Sequence, residues 1–342
     1  MTNDATAMKT NDALALPLAR FWNSPATRAL AALGLILALG CLCNADGAFF
    51  KFGTHRDALR QASVYGLLAC GMTLVIIGGG IDLAVGSLLA LSSVSVSLLL
   101  IHQGWPAAAA IPLCLLCGAA CGGISGGLIA WGRIQPFIAT LAMMAFARGL
   151  TKLLSGGMKV APTIQAADGS YHNVPVPEAF RFVDSRILGG SISMVTVIFI
   201  VCALLTWLLL ARHRWGRNLY AIGGNEEAAR LSGVPVHATK LLAYTACGML
   251  AAVAGICQAA QEQQGDPEAG LGYELNAIAM VVIGGTALAG GRGGMGLTLL
   301  GVLTIGYLEK ILSINAVPTH GRLMLTGAII VLAVLAQRRR RA

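Results

Sequence analysis

Three cysteines, Cys114, Cys117 and Cys121, stand at i, i+3 and i+7, which puts their thiols on one face of a helix. Thiols at that spacing suggest a metal site, but such a site needs a fourth ligand and an entry route. A small, soft thiol also suits helix contacts, and in so apolar a run the packing reading is favoured. Asp82 is the second candidate. It follows Gly78-Gly79-Gly80 and precedes Val85-Gly86-Ser87 in an otherwise apolar stretch. Consecutive glycines loosen a helix and free backbone polar groups, which are tolerated at membrane depth only where they line a cavity or pack in protein. An acid among apolar neighbours is then a functional candidate. The competing reading is that Asp82 caps the next helix, where a carboxylate suits the positive end; both remain open. Glu309 and Lys310 interrupt another apolar run and must face the bundle or an interface. The chain has no G-x-x-x-x-G-K-[ST] nucleotide loop and no H-E-x-x-H. No Ser/His/Asp set stands out, so an enzyme is not expected. A carrier built on this chain would draw on an ion gradient or a partner ATPase.

The elements that position these residues follow from composition. Charged residues are 11% of the chain, less than half the roughly 25% of a soluble domain, while hydrophobic residues are 56% and glycines number 43. That composition predicts an all-α, polytopic membrane protein, with glycine allowing close backbone approach. The net charge of +9 marks loop ends and anionic lipid contacts rather than nucleic acid. All nine cysteines lie in or beside apolar runs, so no disulfide framework is expected.

About ten spans are predicted: 29–43, 62–80, 83–101, 107–131, 137–154, 192–210, 241–258, 275–289, 295–314 and 323–336. Together they form a membrane domain over 29–337, between a polar tail at 1–28 and a basic tail at 338–342. The first apolar run reads as a retained helix rather than a cleaved signal, because further spans follow. Ten spans put both termini on one side. The positive-inside trend assigns that side to the cytoplasm, together with Arg133, Arg292 and the loop 212–240. The loop 156–190 and the acidic stretch 262–274 then lie outside. Lys51, Arg56 and Arg60 run against the trend. Gly118, Gly122 and Gly126, four residues apart, predict a close helix contact.

Loop 212–240 holds five basic residues and a short helix signal. Asn225 suits an N-cap, and Glu226 and Glu227 suit the positive first turn. Ala228, Ala229, Arg230 and Leu231 favour helix, Gly233 can end it left-handed, and Pro235 blocks continuation.

Four stretches carry a family resemblance. They are Gly216-Arg217 with Tyr220–Gly233; Gly79–Ser87; Gly272–Ala279 with Val282–Gly293; and Ile134–Leu141 with Arg148-Gly149. In their order along the chain they resemble the permeases of ribose-type ABC sugar importers, over roughly 59–335. Asn276 departs from the Asp usual in that family. The resemblance implies the multi-pass subunit of a bacterial inner-membrane importer, passing a pentose, hexose or polyol. Its partners would be a second permease copy or paralogue, a cytoplasmic ABC ATPase and a periplasmic sugar-binding protein. It further implies that Asn225, Glu226, Glu227, Ala228, Ala229, Arg230 and Gly233 form the coupling helix that docks the ATPase. ATP and magnesium would then be bound by that partner and no cofactor by this chain. Gly79, Gly80, Asp82, Gly86 and Ser87 are the expected path or gate residues. An ion-coupled secondary carrier with Asp82 as its cation site is the alternative, since broken helices fit it equally well.

Overall fold

The computed structural model describes residues 24–165 and 170–338. The expected tail at 1–28 therefore lies almost wholly outside the described residues, as does the basic tail apart from Arg338. The described residues are predominantly helical, as the composition predicts. The helices are α1 Pro25–Leu42, α2 Phe52–Ile77, α3 Val85–Ser97, α4 Ala107–Ala130, α5 Pro136–Ser155, α6 Glu178–Val183, α7 Met194–Arg212, α8 Arg214–Gly224, α9 Glu226–Leu231, α10 Val236–Glu262, α11 Tyr273–Gly284, α12 Met295–Ile314 and α13 Thr319–Arg338. A π-helical turn, Leu98–His102, prolongs α3. Among the described residues, α1, α2, α3 with its π turn, α4, α5, α7, α10 and α12 are long and apolar enough to cross a membrane.

α2, α3 and α10 form the centre, with α4, α5, α7 and α12 packed around them. The expected glycine face of α4 meets α10. A Cβ at Gly118 would lie 2.6 Å from the Gly248 carbonyl oxygen, and one at Gly248 would lie 3.0 Å from the Gly122 amide nitrogen. Cys114 and Cys121 are buried beside that contact and Cys117 is partly so. Pro136 opens α5 and Pro25 opens α1, where a missing N–H costs nothing; Ser24 caps α1 by accepting from Thr27 N at 3.1 Å.

Of the ten expected spans, 323–336 falls in α13, which is not among those eight, and 275–289 departs further. α11 has only 12 residues, about 18 Å of helix, too short to cross alone. Gly270 and Gly272 adopt positive φ and stop the helix from starting sooner. The segment 263–272 instead runs back along α3. Gly265 packs against Val94 and Ser97, and Gly270 packs backbone to backbone against Gly86. From Ser97 to Gly86 is about 16 Å of helix rise, so α11 begins well inside the bundle. Arg148 of α5 supports this segment by donating to the carbonyl oxygens of Pro267 and Ala269 at 2.5 and 2.9 Å.

The face reached by the ends of α5 and α10 carries the loop 156–190. Two small antiparallel hairpins fold there, β1 Thr163–Gln165 with β2 Tyr171–Asn173 and β3 Arg186–Ile187 with β4 Ile192–Ser193. Val160 and Gly265 exchange two backbone hydrogen bonds, and Lys159 pairs with Asp266 at 2.9 Å. Arg60 pairs with Asp184, fixing the loop to α2.

Candidate functional site

The opposite face carries α8 and α9. Asn225 is the N-cap of α9: its Oδ1 accepts from Ala228 N at 3.0 Å. Glu227 pairs with Arg230 at 2.6 Å, and Glu226 with Lys240 at 2.7 Å. Gly233, at φ +80°, turns the chain left-handed and donates to the Arg230 carbonyl oxygen, as a helix-ending glycine does. Ala229 is buried with Ile222 and Val236, which fixes the inner face. Glu226, Glu227, Ala228 and Arg230 face outward, and Leu231 is 80% exposed. α9 is thus a rigidly capped knob with a charged rim and one protruding apolar side chain.

α8 was not expected as a helix. Its buried face includes Leu219 and Ile222, and Trp215 at its start donates to the Thr239 carbonyl oxygen at 3.2 Å. Trp215, Leu219 and Ile222 stand at i, i+4 and i+7, a helical signal overlooked among the loop's charges.

The end of α8 meets the glycine break. Gly79 sits beside Gly223, and Gly290 sits within contact of both. A Cβ at Gly223 would overlap the Ile77 carbonyl oxygen, which accepts from Gly291 N at 2.9 Å. So the last turn of α2, the end of α8 and the α11–α12 turn meet backbone to backbone at these glycines, with Leu219 packed on Leu74 and Ile77 and the Tyr220 hydroxyl donating to the Gly293 carbonyl oxygen beside them. The break at Gly78–Gly80 is at the α9 end of α2, not midway along it.

The five path candidates occupy different settings. Gly79 belongs to this glycine junction. Gly80 packs under the Tyr244 hydroxyl. Asp82 is 1% exposed; its Oδ1 accepts from Ala84 N at 2.9 Å, and the Cys247 thiol lies beside it. Its capping is therefore of the turn before α3, two residues ahead of that helix's N-cap, Ala84. Gly86 is at the crossing with Gly270, and Ser87 is buried in α3.

None of these five lines the larger cavity. That space, about 320 Å3, is enclosed by α2, α10, α11, α12 and α13. Polar side chains contribute Gln61, Gln258, Asn276 and Glu309, while Tyr65 and Tyr273 supply two rings with centroids 4.4 Å apart. Glu309 thus faces the bundle interior, as a charge in an apolar span must. Gln61 and Tyr65 at i, i+4, and Tyr273, Asn276 and Met280 at i, i+3, i+7, each share a helix face toward this space. That spacing is legible in the sequence, but the convergence of five helices on the space is not.

Residues 56–334 match the family described as branched-chain amino acid transport system / permease component. The ribose import permease protein RbsC of Escherichia coli strain K12 is 39% identical over 306 residues, covering 89% of this chain and 91% of the relative. The autoinducer 2 import system permease protein LsrD of Yersinia enterocolitica is 35% identical over 308 residues, 90% of each chain. The xylose transport system permease protein XylH of Escherichia coli strain K12 is 34% identical over 337 residues, 84% of this chain and 86% of the relative. No solved structure matches significantly. A helical bundle with a capped surface knob, matched along nearly its whole length by import permeases, belongs to the branched-chain amino acid transport system / permease component family.

Proposed function

We propose that this chain is the membrane subunit of a bacterial ABC importer that carries a monosaccharide, namely a ribose-like pentose, a hexose or a related polyol. The observation that carries the reading is α9. It is a six-residue helix held at both ends, with its inner face anchored and its charged outer face free. Such a knob suits a docking surface for a separate ATPase, in which ATP and magnesium are bound and hydrolysed. α9 then faces the cytoplasm, both termini share that side of the inner membrane, and the hairpins face the periplasm. The basic residues around α8 and α9 support this orientation. A periplasmic binding protein delivers the sugar, and a second permease, identical or related, completes the path. The names of the relatives support the substrate class: ribose and xylose import or transport, and uptake of autoinducer 2.

Mechanistically, a push from the ATPase on α9, received at Asn225, Glu226, Glu227, Ala228, Ala229, Arg230 and Gly233, passes into α8. The glycine junction relays it to α2 and to the α11–α12 turn, because backbones in direct contact leave no compliant side chain between them. Gly79, Gly80, Asp82, Gly86 and Ser87 act as the gate: three of them are glycines at close contacts between elements, and the buried carboxylate holds the turn between α2 and α3. The test is reconstitution in vesicles with the partner ATPase and binding protein. ATP-dependent D-ribose or D-xylose uptake supports the reading. Uptake by the purified chain alone, driven by an ion gradient without ATP, overturns it.

A further inference from the structure

The 320 Å3 cavity falls within the range of small-molecule sites, about 300–1,000 Å3, and it is not part of the gate or the coupling knob. Its charges balance locally. Arg60 is paired with Asp184, and Glu309 has Arg322 and the Thr326 hydroxyl as neighbours. Glu262 also lines the space, so two cations, Arg60 and Arg322, stand with two carboxylates, Glu262 and Glu309, and the lining carries no net charge to attract an ion. What remains is neutral hydrogen-bonding capacity. Asn276 and Gln61 make no side-chain hydrogen bond among the described residues. Gln258 gives one N–H to Glu262 and keeps its carbonyl oxygen. Each carboxamide offers two donors and an acceptor. Tyr65 and Tyr273 add two rings inclined at 44°. Carboxamides interleaved with aromatic rings complement a ligand that carries both hydroxyls and C–H groups.

We propose that this cavity is a sugar-binding subsite of the permease itself, with Asn276, Gln61 and Gln258 bonding hydroxyls and Tyr65 and Tyr273 covering a C–H face. It takes a neutral, polyhydroxylated ligand of monosaccharide size and makes the membrane subunit a second point of selection. This rests on the importer reading above. Selection arises because a buried carboxamide left unpaired by a wrongly placed hydroxyl penalises that ligand.

The test uses the whole transporter in vesicles, measuring ATP-driven uptake of D-ribose and of D-xylose and the ATP consumed per sugar. Asn276→Leu is expected to change the ribose-to-xylose ratio of kcat/KM by about threefold or more and to raise ATP consumed per sugar. Gln61→Leu removes another of the proposed hydroxyl partners and serves as a second variant should Asn276→Leu fail to assemble; it too is expected to shift the ratio. Variants that keep the wild-type ratio and stoichiometry, even with lower uptake, overturn the subsite while leaving the importer reading intact. A wild-type complex that moves neither sugar overturns both.

Discussion

The backbone N–H of Gly291 donates to the carbonyl oxygen of Ile77 at 2.9 Å, and Gly223 lies in the angle between them. A C-terminal carbonyl of α2, which has no partner within its own helix, is thereby satisfied by the α11–α12 turn, more than 200 residues away in sequence. No side chain intervenes. The contact sets the distance between α2, α8 and the α11–α12 turn to that of bare backbone.

Gly223→Ala is therefore expected to be severe, because its Cβ would overlap the Ile77 oxygen and the Gly291 amide. ATP-driven uptake should fall at least tenfold at normal membrane abundance. Gly224→Ala has open space around its Cβ and should stay within about 0.5 kcal/mol of wild type. Uptake assays on the pair, normalised by immunoblot, check this.

The coupling knob gives a second contrast. Gly233→Pro cannot adopt φ +80° and removes the N–H that caps Arg230. Gly233→Ala costs about 1 kcal/mol, the usual penalty for a side chain in left-handed backbone. Glu227→Arg reverses an exposed charge and breaks its pair with Arg230. Glu227→Arg and Gly233→Pro are expected to leave the protein in the membrane while separating ATP hydrolysis from uptake. Hydrolysis and uptake measured together on the same vesicles decide it.

Arg148 holds the non-helical segment ahead of α11. Arg148→Met leaves the Pro267 and Ala269 carbonyl oxygens without their donor. Hydrogen bonds to a charged group contribute about 1.5–3 kcal/mol each, so a lower Tm and faster amide exchange across 265–272 are expected. Exchange that speeds up across the whole chain rather than in this segment would argue for a global role instead.

Asp266 gives a pH dependence. Burial acts to raise its carboxyl, but the Lys159 ammonium, the Glu268 amide and the more distant Arg148 charge outweigh burial and hold its pKa below the ordinary carboxylate value. A folded-state pKa below the unfolded one favours the ionised form in the fold. The contribution is complete above the unfolded value of about 3.9 and is lost as pH falls through the lower folded value. The Tm gap between wild type and Asp266→Asn should therefore be constant near neutrality and close as pH drops below about 4.

The main elements could be read from residues alone where a local rule decides. Asn225, Glu226 and Gly233 fix the ends of α9 by capping chemistry, and α9 folds between them as those residues predict. The Gly118–Gly126 stripe marked a helix contact, although its partner Gly248 was invisible until α10 was in place. The apolar run 275–289 looked like a full span because hydropathy cannot register that Gly270 and Gly272 turn left-handed just before it. The cavity was hidden for a different reason. Gln61, Gln258, Asn276 and Glu309 sit on four helices distant in sequence, and only tertiary packing brings them to one space.

The brevity of α11 has a mechanical consequence. Glycine-bearing, non-helical chain flanks it on both sides, 263–272 before and 285–294 after. The first stretch is bonded to Val160 next to the hairpins, and the second to Ile77 at the root of the knob. A short rod joined at each end to a non-helical strap, with one strap held from either surface, has the layout of a piston. A displacement imposed at one surface can slide α11 along its length and arrive at the other without any long helix having to bend.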